Sequence, residues 1–460
     1  MSAALHGLKA DGRGEYRIAP TSGWYRSWKV SGVVGIAGLA VAAFGYWGDP
    51  TRFAFAYLFA FFVALSLALG NLFFVMLLYV TRANWGITVR RVAELFMRPM
   101  AVFVVLALPL AASIPRLFPW AAPRSAAAES LSPSSRALPD ARAKIPLALD
   151  EARGSEAKEP AGLRHLPVVD RRRMDLAERA FEAKIVDHKR PYLNPVFFLV
   201  RLALYLAVWL WLAQRYFRWS TQQDRSRAPA LTRSAQNFAP VGLILFGLTT
   251  TFFGFDWLLS LDATWASTMF GVYVFAQCAL FQMAVLILAT LALRQSGLLG
   301  HAVTVEHYHD MGKLLFGWIS FWAYIAFAQF FLIWYSNLPE EVVWFHKRWD
   351  EWDASWRSVS LALVVLHFIL PFWFLMSRNI KRRLPLLAAG AACMVAMHVV
   401  EVYWVVMPNL GGLAPKIVDA ACLVGVVGVY LAAVLRGMTD VSLVAIGDPR
   451  LARALEFENA

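Results

Sequence analysis

The chain reads as a series of long apolar runs separated by short polar connections rich in arginine. A helix needs about 20 mainly apolar residues to cross a bilayer. Runs of that kind lie at roughly 31–47, 55–80, 92–115, 194–214, 238–260, 267–293, 314–336, 357–376, 384–407 and 417–435. The pattern predicts an all-α integral membrane protein of about ten transmembrane helices. The first run is the shortest, and its glycines and alanines suit close helix packing. The expected organisation is a polar N-terminal segment over 1–30, helices one to three over 31–115, a largely irregular segment over 116–192, helices four to ten over 193–436, and a C-terminal tail over 437–460. No internal repeat is evident.

Composition strengthens this reading. The 460 residues are 59% hydrophobic and 16% charged, with mean hydropathy +0.52. A soluble domain is nearer half apolar and a quarter charged, because it needs charged surface to stay dispersed. The 19 tryptophans fit the headgroup region, where amphipathic rings settle. A net charge of +13 raises nucleic acid as a partner. That class is rejected, because the arginines and lysines cluster in the short connections, where they orient helices. With the N-terminus in the cytoplasm, the inner connections carry fourteen Lys and Arg against five in the short outer ones. Both termini are therefore expected to be cytoplasmic, and 116–192 extracytoplasmic.

The stretch SAAAESLSPSSRALPDARAK in that segment has the composition of irregular chain, or of chain ordered only against a partner. DRRRMDLAERAFEAKIVDHK after it suits a charged surface helix. Cys278, Cys393 and Cys422 are far apart within apolar runs. With no C-x-x-C there is no iron–sulfur or zinc cage, and with no C-x-x-C-H no attached c-type haem. The polar N-terminus lacks an early apolar core, so a cleaved signal peptide is not expected.

An ionisable side chain inside a span is costly, and so marks candidate chemistry. Glu94 follows Arg90 at i,i+4, which suits either an interfacial ion pair or proton entry. Asp256 is flanked by Phe255 and Trp257 and favours function, whereas Asp262 suits a helix N-cap. His398 and Glu401 share a helix face, as a proton relay or as a structural pair would. His367 lies four residues before Pro371, which removes the usual donor to its carbonyl. His367 and His398 form the only intramembrane pair that could hold a b-type haem, which is the sharper but weaker alternative. The run EHYHDMGK, with Glu306, His307, His309 and Asp310, fits no standard metal spacing and favours a helix start. Tyr324, Gln329, Tyr335 and Asn337 are polar and uncharged, and suit a proton wire or helix contacts.

Four segments taken in order carry a family likeness: FDWLLSLDATWASTMFGVYVF, HYHDMGKLLFGWISFWAYIAFAQFFLIWYSNLPEEVVWF, LHFILPFWFLMSRNIKR and HVVEVYWVVMP. Together with WGITVRRVAE and KRPYLNPVFFLVR, they resemble the ActF-type membrane subunits of alternative complex III. These belong to the NrfD-like, or polysulfide-reductase-subunit-like, proteins of bacterial quinol:electron acceptor oxidoreductases. The resemblance is strongest over roughly 240–410.

The resemblance implies NrfD-type four-helix bundles in a bacterial cytoplasmic (inner) membrane. The implied partners are an ActC-like NrfD subunit, an ActB-like iron–sulfur protein, multihaem and monohaem cytochrome c subunits, small membrane subunits, lipids, and in some assemblies a terminal cytochrome oxidase. Haem c and iron–sulfur clusters would sit in those partners. No redox cofactor is implied for this chain, with a quinone or menaquinone nearby. The proton pathway it implies would use Glu94, Asp256, His309, Asp310, His367, His398 and Glu401, to which Tyr324 is added as a wire residue. The family often reads Leu-Asp-Pro-His-Trp where this chain has Leu261, Asp262, Ala263, Thr264 and Trp265, so one histidine is missing. It usually carries Asp where this chain has Glu401, which keeps the charge, and segment 116–192 is longer than usual. A quinone-binding subunit, a structural anchor, a di-haem cytochrome b and a small-molecule transporter are the rival readings.

Overall fold

The computed structural model describes residues 16–121, 184–299, 301–349 and 354–458. Among these residues every regular element is helical. Nine of these helices are long and apolar enough to cross a membrane, and the count is ten when a pair bent by 57° is read as one span. The described residues are all-helical and have the candidate spans of a multi-pass membrane protein.

The elements are α1 (Gly23–Gly48), α2 (Pro50–Val80), α3 (Ile87–Met97), α4 (Met100–Leu106), α5 (Leu108–Leu117), α6 (Pro195–Ser226), α7 (Pro229–Trp257), α8 (Phe270–Gln295) and α9 (Val305–Ser336). They continue with α10 (Pro339–His346), α11 (Ala354–Ala362), a π-helical turn (Leu363–Ile369), α12 (Leu370–Met376), α13 (Arg378–Arg382), α14 (Leu384–Val406), α15 (Ile417–Met438) and α16 (Leu451–Leu455).

The chain divides into two units, 1–113 with 199–460, and 114–198. In the smaller unit the ring of Phe118 stacks on Trp120 and packs edge-on to Phe198. Most of the irregular segment expected over 116–192 lies outside the described residues. Of the charged helix expected at its end, 184–189 are described and 184–188 are helical.

In the larger unit α2 is the central element. Asp49 caps it through the Arg52 amide at 2.9 Å, and nearly its whole length is buried. A mainly apolar helix buried on nearly all faces is a core helix. It meets α8 where Gly70 lies against the backbone of Cys278. A Cβ on Gly70 would come within 2.2 Å of that carbonyl oxygen. The small residues of α1 act as their composition suggests, since a Cβ on Gly38 would lie 2.7 Å from the Gly425 nitrogen of α15.

Two expected spans are not regular. The run at 92–115 breaks into α3, α4 and α5, with a 57° bend before α5. Pro99 and Pro109 explain the breaks: each lacks an N–H and crowds the carbonyl four residues back. The run at 357–376 passes through the π-helical turn that carries His367, and Pro371 opens α12 directly after it. A π turn supplies the extra residue that accommodates a carbonyl deprived of its donor.

Candidate functional site

Glu401 and His398 lie on the buried face of α14 and are fully enclosed. Two donors hold one carboxylate oxygen. The Tyr273 hydroxyl from α8 donates to Oε1 at 2.6 Å, and Trp322 Nε1 from α9 donates to the same atom at 2.5 Å. The other oxygen, Oε2, faces two imidazoles. His398 Nδ1 is 3.8 Å away and His367 Nε2 is 3.9 Å away. Oε2, His398 Nδ1 and both nitrogens of His367 lack a direct hydrogen-bond partner. Separations of this size are too long for a direct hydrogen bond.

Each ring is fixed by stacking. His367 lies parallel to Trp322 with centroids 4.1 Å apart, and His398 parallel to Phe281 at 4.0 Å. The far side of His398 is also set. Ser66 Oγ of α2 donates to the Val63 carbonyl at 2.9 Å and lies 2.9 Å from His398 Nε2. The Ser66 hydroxyl can donate to Val63 or to Nε2, so the tautomer of His398 sets the direction of this bond. When Nε2 carries the ring proton and donates to Ser66, Nδ1 faces the carboxylate as a bare lone pair. A buried acceptor facing a second acceptor is unfavourable. A proton on Nδ1 or on Oε2 removes that clash, as neutral imidazole or imidazolium facing carboxylate, or as imidazole facing carboxylic acid. The geometry also bears on the haem alternative, because the Glu401 carboxylate lies between the two rings a porphyrin would have to separate.

The structure brings His367, His398 and Glu401 together and adds Ser66, Tyr273 and Trp322. Sequence reasoning passed over these three because none is ionised near neutral pH. Their only signal is the polar atom each carries inside an apolar run.

The other candidates have different surroundings. Asp256 is fully buried at the end of α7. Arg201 of α6 clamps it with Nε to Oδ2 at 2.7 Å and a second nitrogen to Oδ1 at 3.0 Å, and the Tyr205 hydroxyl adds a bond at 2.7 Å. This is a bidentate buried ion pair with no partner in common with Glu401. Glu94 is likewise enclosed, bound by Arg90 at 3.0 Å and by Arg91 at 2.8 Å. Arg90 continues to Asp448 at 2.8 Å and Arg91 to Asp224 at 2.7 Å. The ion pair expected at Arg90 and Glu94 is thus one link in a network that binds α3 and α6 to the C-terminal segment. Asp448 lies outside the spans. Burial pushes its carboxyl up, but Arg90 and Arg450 outweigh this and hold it down at about 2.

His309 and Asp310 are buried at the start of α9, where Asp310 pairs with Lys313 at 2.5 Å. The helix-start reading matches what is found there: Thr304 caps α9 reciprocally with His307, and Glu306 is held by Arg382. His307 Nε2 also lies 3.0 Å from the Ala454 carbonyl, which docks α16 on this end of α9. A cavity of about 300 Å³ adjoins Asp310 and Lys313, with walls from Phe74, Leu78 and Trp85. Tyr324 is 66% exposed on the outer face of α9 and is not brought to the cluster. Asp262 does not cap a helix. The next helix begins at Phe270, and Asp262 pairs with Lys347 instead. No group of three or more His, Cys, Asp and Glu suited to a metal ion occurs among the described residues.

No protein-family model matches this chain, and no curated protein matches it.

Proposed function

We propose that this chain is a proton-conducting, energy-coupling membrane subunit of a bacterial quinol:electron acceptor oxidoreductase of the alternative complex III type, resembling its ActF-type subunits. In this reading it lies in the cytoplasmic membrane with both termini inside, and its helices form NrfD-like four-helix bundles. Its partners are a second NrfD-like subunit, an iron–sulfur protein, cytochrome c subunits and small membrane subunits. Electrons leave quinol and reach haem c in those partners, while this chain handles protons. The observation that carries the reading is the Glu401 carboxylate, enclosed with two imidazoles and hydrogen-bonded by Tyr273 and Trp322. A purely structural salt bridge would saturate both oxygens, as Arg201 does for Asp256.

The steps available to these residues are proton transfers. In this reading small movements of the carboxylate and rings close the gaps of 3.8 and 3.9 Å, and a proton arriving at His398 passes from Nδ1 to Glu401 Oε2 and from there to His367 Nε2. Tyr273 and Trp322 keep Oε1 occupied, so exchange is confined to Oε2. Moving one charge across the membrane costs about 2.3 kcal/mol per 100 mV, so a coupled path must be driven and gated.

The test uses the whole complex in sealed vesicles. Glu401→Gln is expected to retain quinol oxidation at low membrane potential and to release fewer protons per electron. Wild-type proton release in that variant sinks the reading. A second reading, structural anchoring, is favoured at Asp256 and Glu94 by their saturated ion pairs.

A further inference from the structure

Among the described residues Arg348 is the buried arginine that no ion pair holds: Arg52, Arg90, Arg91 and Arg201 each pair with a carboxylate. It follows α10 and is 1% exposed. Its guanidinium donates to three backbone carbonyls: Trp344 at 2.6 Å, Val405 at 2.9 Å and Trp404 at 3.2 Å. It lies 3.5 Å from the centroid of the Trp344 ring and 5.2 Å from that of Trp404. Its own carbonyl accepts from Ser360, whose hydroxyl also receives Trp404 Nε1, so the residue is pinned. Among the described residues no carboxylate lies within ion-pair distance of it. Asp262, which acts on it electrostatically, is already engaged by Lys347. Burial lowers the guanidinium to about 10, with Asp262 and Tyr273 opposing the shift, so it stays charged at neutral pH. Arg348 is thus a buried, fixed cation held by dipoles and ring faces.

Its position matters because of its neighbours. Trp404 and Val405 come three and four residues after Glu401, one turn further along α14. Tyr273 connects the two sites, since it donates to Glu401 and feels the charge of Arg348. An unneutralised cation in a low-dielectric site raises the local potential and repels a second positive charge. Fixed arginines in water-conducting pores exclude protons on this principle.

We propose that Arg348 is a positioning residue whose charge forms an electrostatic barrier at the end of α14, so that protons held by Glu401 and its histidines cannot leak past Tyr273. The inference rests on the proton-handling reading of Glu401. The competing explanation is that Arg348 only caps the last carbonyls of α14. The two differ in what they require: a barrier needs the charge, whereas a cap needs the donors.

The experiment measures passive proton flux into sealed vesicles containing the full complex, with a potassium diffusion potential as the driving force. Arg348→Gln keeps amide donors and removes the charge, and is expected to raise the flux about tenfold or more. Arg348→Lys keeps the charge with fewer donors and is expected to stay near wild type. Arg348→Gln combined with Glu401→Gln is expected to return to the wild-type flux, because the leak passes through Glu401. Folded Arg348→Gln with wild-type flux overturns the barrier, as does Arg348→Lys leaking as Arg348→Gln does. If Arg348→Gln fails to fold, Arg348→Lys alone decides: a tight membrane supports the barrier and a leaky one refutes it. A leak that persists in the double variant overturns this proposal and leaves the Glu401 reading standing. The Glu401 reading itself fails only when Glu401→Gln leaves turnover-linked proton release unchanged.

Discussion

Asp256→Asn separates a structural carboxylate from a working one. Asparagine keeps one acceptor oxygen but turns an amide N–H toward Arg201, where the bidentate pair has distances of 2.7 and 3.0 Å. One of the two bonds is lost and the other keeps its charged donor but loses its charged acceptor. The Arg201 guanidinium loses the charge of Asp256, with its side chain only 8% exposed. Removing one partner of a buried ion pair costs about 3–5 kcal/mol, mostly because the remaining charge is uncompensated. The Tyr205 bond can survive to the asparagine oxygen, so a loss of about 3 kcal/mol is expected. Unfolding of the chain in mixed micelles by increasing sodium dodecyl sulfate measures it. Replacing both partners, with Asp256→Leu and Arg201→Met, is expected to recover most of the loss, because an apolar pair of similar volume carries no desolvation penalty. The folded fraction of Asp256→Asn is expected to release protons as the wild type does. A change in stability under about 1 kcal/mol, or a folded variant that has lost proton release, would refute this reasoning.

Three further outcomes follow from the geometry. The Asp448 carboxyl is held at about 2 against an ordinary value of 3.8, so its contribution of about 2 kcal/mol is present above pH 4 and disappears as pH falls toward 2; acid titration of unfolding in Asp448→Asn is expected to show a shallower slope in that window. Gly70→Ala must push α2 from α8, because the new Cβ meets the Cys278 carbonyl at 2.2 Å; a loss of about 1–3 kcal/mol is expected in the same micelle assay, with reduced proton release because the helices carrying Ser66 and Tyr273 move apart. Tyr324→Phe, on the exposed face of α9, is expected to leave stability and proton release unchanged within about 0.5 kcal/mol and experimental error.

The helices were legible because a span is written as an apolar run, and their number follows from counting runs. Their interruptions were only partly legible. Pro371 announced a defect near His367, but not that the chain would answer with a π-helical turn. Pro99 and Pro109 did not by themselves fix the 57° bend. At the site, the spacing of His398 and Glu401 on one helical face was readable, and the structure adds His367 from another segment. Ser66, Tyr273 and Trp322 come from three further helices, and no local pattern ties them to Glu401. Ion pairing was legible only at short range. Arg90 and Glu94 are one turn apart, whereas Asp256 finds Arg201 55 residues away and Arg348 finds its carbonyls 56 and 57 residues on. Long-range partners of this kind depend on which helices become neighbours, which apolar periodicity does not encode.

The central claim is that the Glu401 carboxyl gains and loses a proton during turnover. Infrared difference spectroscopy of the complex, comparing quinol-reduced and oxidised states, observes the C=O stretch of a protonated carboxyl directly. The account predicts a band that shifts in deuterium oxide and vanishes in Glu401→Gln while remaining in Asp256→Asn. The same difference spectrum from wild type and Glu401→Gln would contradict it.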